Sequence, residues 1–140
     1  MKTAAGRPAF TWPIRVYYED TDSGGVVYYA NYLRFMERAR TEWLRALGFE
    51  QTALAAQHQV VFVVRAVAIE YFKPSLFNDS LQVTVELAKV GASQIQVMQR
   101  VMRDEEELVA AEVRVVCVST ATFKPVRMPQ AVMTRIRTIA

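Results

Sequence analysis

The chain has 140 residues, of which 52% are hydrophobic and 22% charged, with a formal net charge of +3. That is the length of one domain with a sizeable core, and so mild a charge without a Lys/Arg cluster excludes a nucleic-acid binder. A single cysteine, Cys117, excludes an internal disulfide, and no apolar run approaches the roughly 20 residues of a membrane-spanning helix, so the chain reads as a cytoplasmic protein and not an integral membrane protein.

Residues 1–11 carry Lys2, Gly6, Arg7 and Pro8 and read as a loose N-terminus to a single domain spanning 1–140. Trp12 to Tyr18 alternates Ile14, Val16 and Tyr18 against Arg15 and Tyr17, the pattern of a first strand. Glu19 to Tyr32 follows as a loop rich in acids, glycines and tyrosines. The spacing then predicts a long helix over Tyr29–Leu47. Tyr32, Phe35, Met36, Ala39, Trp43, Ala46 and Leu47 share one face, Leu33 and Leu44 widen it, and Gly48 is the stop. Phe49 to Gln59 reads as a second short helix.

From Val60 the period changes. Val60–Phe72 is apolar on both faces, as a central strand is, and ends at Lys73-Pro74. Leu81 to Leu87 alternates cleanly, Gly91 marks a hairpin, and Ser93–Arg103 and Leu108–Ser119 are strands on either side of an acidic turn. A short helix from Pro129 closes the chain. A strand, one long helix and four more strands imply an α+β domain with a largely antiparallel sheet. One helix cannot cover both faces of that sheet, so a dimer or a dimer of dimers is expected.

The chemistry concentrates at Asp22-Ser-Gly-Gly, where a glycine turn leads into the long helix. Glycines let the backbone bend and approach a ligand, and a helix start presents unpaired N–H groups with partial positive charge. A carbonyl held there has its oxygen polarised beside a carboxylate. The same residues also make an ordinary turn with an N-cap. Glu19 and Asp20 read as loop-shaping, Glu37 as an ion-pair partner for arginine, His58 as a surface residue and Cys117 as core. No Ser/His/Asp set and no metal-ligand spacing appears.

The stretch Arg15 to Tyr32, Arg-Val-Tyr-Tyr-Glu-Asp-Thr-Asp-Ser-Gly-Gly-Val-Val-Tyr-Tyr-Ala-Asn-Tyr, resembles the signature of hotdog-fold thioesterases of the 4-hydroxybenzoyl-CoA thioesterase type. Within that group it is most similar to the acyl-CoA thioesterases associated with the Tol–Pal envelope system. The similarity continues through Phe35–Glu42, Phe62–Arg65, Glu112-Val113 and Val115–Val118. The resemblance implies a curved antiparallel sheet wrapped around the long helix, in a homodimer or homotetramer with its sites at the subunit interface. It implies hydrolysis of short-chain or aromatic acyl-CoA, with an acyl carrier protein as an alternative carrier of the acyl group. No cofactor is implied beyond the coenzyme A of the substrate.

By the same resemblance Asp22 is the catalytic carboxylate, the backbone N–H of Tyr29 polarises the thioester carbonyl, and Gly25 permits the turn. Tyr28, Asn31, Lys89, Ser93 and Lys124 are expected to contact the substrate or its CoA portion, with Lys89 and Lys124 near strand ends. The Tol–Pal branch usually carries His at the position of Tyr29, whereas 4-hydroxybenzoyl-CoA enzymes can carry Tyr. Relatives also often carry Arg at the position of Val90. A non-catalytic acyl-CoA or acyl-carrier adaptor in an envelope complex is the competing reading. A hotdog dehydratase needs a His–carboxylate pair, and the loop and long helix hold no His.

Overall fold

The computed structural model describes residues 9–139. The strands are β1 (Phe10–Arg15), β2 (Val60–Tyr71), β3 (Ser80–Val90), β4 (Gln94–Arg103) and β5 (Glu106–Ser119), and the helices are α1 (Asn31–Ala46), α2 (Gln51–His58) and α3 (Gln130–Ile139). All five strands form one antiparallel sheet in the order β1-β3-β4-β5-β2. α1 lies against β1 and β3.

α1 forms because its apolar residues recur on one side. Tyr32, Phe35, Met36, Ala39, Trp43 and Leu44 are buried, and Phe35 and Met36 are fully so. Phe35, Met36 and Leu44 each contribute about 1.5–3 kcal/mol by leaving water. Leu33, assigned by its spacing to the apolar stripe, is instead exposed at the helix margin. The helix ends at Gly48, whose φ of +100° suits only glycine without strain. Phe49 N–H reaches Leu44 O at 3.0 Å and Gly48 N–H reaches Arg45 O at 2.9 Å, the paired bonds of a Schellman stop.

Most elements shift by one to three residues from their expected bounds, and the shifts of β1 and α1 bear on the site. β1 runs over Phe10–Arg15, not Trp12–Tyr18, because its pairing with β3 ends at Arg15 opposite Ser80. The chain then tightens into a 3-10 turn at Tyr18–Asp20, closed where Tyr17 N–H donates to Asp20 Oδ2 at 2.8 Å. Of the expected loose terminus 1–11, Phe10 and Thr11 therefore belong to the sheet, and residues 1–8 lie outside the described residues. The long helix begins at Asn31 rather than Tyr29, which lies in the preceding turn.

The larger correction concerns β2. It is an edge strand, hydrogen-bonded to β5 alone, and not a central one. Its apolar run Val60–Val64 supplies both faces of the strand, although β5 is its only strand partner among the described residues. The register with β5 shifts between Val64 and Ala66, so Arg65 is an extra residue in a bulge. One extra residue inverts the side-chain alternation. Val60, Phe62 and Val64 before it, and Val67, Ile69 and Tyr71 after it, thus fall on one face. Phe62 and Ile69 pack against the core, while Val63, Val64, Val67, Tyr71 and Phe72 remain exposed.

Candidate active site

Residues 21–28 form a small hairpin between β1 and α1. Thr21 pairs with Val27, Asp22 N–H donates to Val26 O at 2.9 Å, and Gly25 N–H donates to Asp22 O at 3.0 Å. Asp22 closes the tip by accepting Gly24 N–H on Oδ1 at 2.8 Å. The two glycines serve different needs. Gly25 has a φ of +82°, where a side chain is strained, and a Cβ on Gly24 would stand 3.2 Å from Asp22 Oδ1. Asp22 is exposed at this tip with one carboxylate oxygen committed to the turn.

The far side of the hairpin is tied to the rest of the molecule. Asp20 O accepts both Tyr28 N–H and Asn31 Nδ2, each at 2.9 Å. Asp20 therefore shapes the loop, as its position suggests, and Asn31, expected at the substrate, spends its amide nitrogen on bracing the loop against α1. Val27 N–H donates to Ser75 O at 2.9 Å, and Asn31 N–H to Tyr28 O at 2.8 Å. The second of these bonds polarises the very peptide that carries the Tyr29 N–H, which strengthens it as a donor. Among the described residues, the Tyr29 N–H has no acceptor of its own.

Aromatic rings surround this donor. Tyr29 and Tyr71 meet edge to face with centroids 6.1 Å apart, and the Tyr71 hydroxyl donates to Tyr29 O at 3.2 Å. Tyr28 lies against Tyr29 at 4.9 Å. The neighbouring Tyr29 hydroxyl raises the Tyr28 hydroxyl above its ordinary 10.0, and the charge of Asp22 adds in the same direction. Burial pushes the Tyr71 hydroxyl up as well. A pocket of about 240 Å³ opens here, lined by Val27, Tyr29, Tyr32, Tyr71, Phe72 and Pro74 among others. Asp22, Gly25, Tyr28 and Tyr29 are thus brought together in one protomer.

Lys89, Ser93 and Lys124 are not. Ser93 O accepts Cys117 N–H at 2.8 Å, and Lys124 O accepts Ser119 N–H at 3.0 Å, which puts both beside the C-terminal end of β5. Lys89 is exposed near the C-terminal end of β3. The Asp22 hairpin stands at the opposite end, where Val16 N–H meets Asp79 O at 3.0 Å just before β3 begins. β3 has 11 residues, so the two groups lie roughly 30 Å apart along one chain at ~3.3 Å per residue.

Glu37 accepts the Thr41 hydroxyl at 3.2 Å and has no arginine within ion-pair reach among the described residues. Arg40, one turn along the helix, turns inward to Gln99 Oε1 at 2.9 Å, and burial lowers its pKa while the charge of Glu37 opposes that. Cys117 is fully buried, which pushes its thiol up and makes it unreactive. His58 is exposed at the end of α2. Sequence reasoning missed Tyr32, Tyr71 and Ser75. Tyr32 reads as core and Tyr71 as strand, Ser75 carries no assignment after Lys73-Pro74, and only folding brings the three together beside the hairpin.

A family model described as "Thioesterase-like superfamily" matches residues 16–136. The acyl-CoA thioesterase YbgC of Haemophilus influenzae is 48% identical over 123 residues, covering 88% of this chain and 90% of the relative. The acyl-CoA thioester hydrolase YbgC of Escherichia coli is 44% identical over 129 residues, covering 91% and 96%. Among solved structures, a probable thioesterase from Bartonella henselae superposes with a TM-score of 0.83 at 34% identity, covering 87% of this chain and all of that one. The α+β fold described above is accordingly the hotdog, a sheet wrapped around α1, and the chain belongs to the thioesterase-like superfamily.

Proposed function

We propose that this protein hydrolyses the thioester of short-chain or aromatic acyl-CoA, with Asp22 as the reacting carboxylate and the Tyr29 N–H as the oxyanion donor. Hydrolysis of a thioester follows from the superfamily, and acyl-CoA is what the relatives at 48% and 44% identity are named for. The observation that carries the residue assignment is the hairpin itself. It holds an exposed carboxylate and, a few residues on, a polarised N–H that meets no acceptor among the described residues, at the mouth of α1.

A thiolate leaves readily, so no strong general acid is needed. What is needed is charge stabilisation on the carbonyl oxygen and attack at its carbon. The Tyr29 N–H and the helix start supply the first. Asp22 supplies the second, as nucleophile or by activating a water. The pocket beside Tyr29, about 240 Å³ and walled by tyrosine and phenylalanine rings, suits a short or aromatic acyl group. Coenzyme A enters as part of the substrate, and the reaction requires no other cofactor.

The separated ends of the sheet support a site shared between two copies. β2 is an open edge, and an antiparallel union of two β2 edges reverses one protomer against the other. The end that carries Asp22 in one copy then approaches the end that carries Lys124 of the partner subunit. The lysines there offer positive charge to the CoA phosphates.

The test is hydrolysis of a panel of short-chain and aromatic acyl-CoAs by the intact protein and by Asp22→Asn, which keeps the shape and removes the charge. A fall in kcat of about 100-fold or more is expected. Unchanged turnover in a folded Asp22→Asn protein rejects the assignment of this carboxylate. Binding of acyl-CoA without any hydrolysis by the intact protein favours the adaptor reading instead.

A further inference from the structure

The peptide bearing the Tyr29 N–H is fastened on both sides to one residue outside the hairpin. Upstream, Val27 N–H donates to Ser75 O at 2.9 Å. Downstream, on the first turn of α1, the Tyr32 hydroxyl lies 2.7 Å from Ser75 Oγ and accepts Ser75 N–H at 3.2 Å. The pair is shut away from water, with Tyr32 at 3% exposure and Ser75 at 0%. The Tyr32 ring meets Phe35 edge to face at 5.9 Å and Tyr71 at 5.8 Å, contacts that phenylalanine makes equally well. Packing therefore does not account for the hydroxyl. A buried hydroxyl carries a desolvation cost that its partners must offset, and here they offset it at one place.

We propose that the Tyr32 hydroxyl is a positioning residue for the hydrolysis. It locks the Ser75 backbone, and through Val27 it sets the Tyr29 N–H where the oxyanion forms. This rests on the reading of Tyr29 N–H as the oxyanion donor. The route runs through the Ser75 backbone rather than its side chain. Ser75→Ala keeps both the Val27 N–H bond to Ser75 O and the Ser75 N–H bond to Tyr32. Tyr32→Phe leaves Ser75 N–H and Oγ buried without that partner. Displacement of a catalytic group by about 1 Å can cost about 100-fold in rate.

The experiment compares steady-state kinetics and thermal unfolding of the full chain with Tyr32→Phe, Ser75→Ala, the double variant and Asp22→Asn. Tyr32→Phe is expected to lower kcat by about 10-fold or more, with KM within about twofold, the mark of an interaction used in the transition state. Ser75→Ala is expected to stay within about threefold of the parent. The double variant strands fewer buried groups, so it stands in for Tyr32→Phe should that protein fail to fold, and its kcat must be equally low. A folded Tyr32→Phe protein with the parent's kcat, or one whose loss falls on KM, overturns the proposal and leaves Tyr32 a structural residue. A Ser75→Ala defect as deep as that of Tyr32→Phe overturns the backbone route. If Asp22→Asn is inactive while Tyr32→Phe is not, the positioning role fails alone. If the parent hydrolyses no acyl-CoA, the positioning role falls together with the reading beneath it.

Discussion

At Tyr29 the side chain and its own backbone meet different surroundings. Its ring is 60% exposed and leans on Tyr28 and Tyr71, while its N–H faces no protein acceptor among the described residues. Two substitutions separate them. Tyr29→Phe keeps the ring and the N–H, and its kcat/KM is expected to stay within about tenfold of the parent. Tyr29→Pro deletes the N–H at a place just before a helix where proline is tolerated, and a fall of at least about 100-fold is expected. Kinetics on both variants, with circular dichroism to confirm the fold, decide the matter. A deep defect in Tyr29→Phe beside a shallow one in Tyr29→Pro assigns the catalysis to the phenol.

At the scale of elements, the connection between β2 and β3 holds the hairpin in place and is itself held by charge. Arg103 at the end of β4 reaches Asp79 Oδ2 at 2.8 Å and Glu106 Oε1 at 2.6 Å, and Lys73 Nζ reaches Glu106 Oε2 at 2.7 Å. Lys73, and after it Arg103, hold the Glu106 carboxyl below its ordinary 4.5. A carboxylate so depressed adds stability above its unfolded value and loses it as pH falls through the lower folded value. These groups are open to solvent, so the effect is local and weakened by salt. Hydrogen exchange at the amides of Ser75 and Val27 should therefore quicken as pH drops below about 4.5, after correction for intrinsic rates, sooner in Arg103→Ala than in the parent. Equal protection in both proteins across that range disproves the brace.

The elements themselves were legible in the sequence, and their partners less so. The period of α1 and its Gly48 stop are local signals. The status of β2 is not, because a run apolar on both faces reads as a central strand, and only the strand order shows that β2 lies at the edge. The Asp-Ser-Gly-Gly turn announces the hairpin, since Gly25 and Gly24 answer local constraints. Ser75 reaches the site only across 43 residues from Tyr32, a distance no local pattern encodes.

For the whole molecule, the open edge of β2 is the decisive surface. A long edge strand with exposed Val63, Val64 and Val67 invites pairing, and a second copy of the same strand satisfies its backbone groups by a two-fold axis. Sedimentation is expected to give the mass of two chains or a multiple of it. Val67→Asp is expected to shift the population toward single chains and to lower activity with it. A fully active single chain contradicts the shared site. The wide spacing of Asp22 and Lys124 along one protomer then has a consequence for inheritance. In the proposed two-chain site each chain lends Asp22 to one site and Lys124 to the other, so a chain defective at Asp22 and another defective at Lys124 are expected not to be equivalent losses. Mixed in one pair, they concentrate both faults in one site and leave the other whole. Two alleles, each damaged alone, are then expected to rescue one another in the same cell, a result that a site built within one chain does not produce.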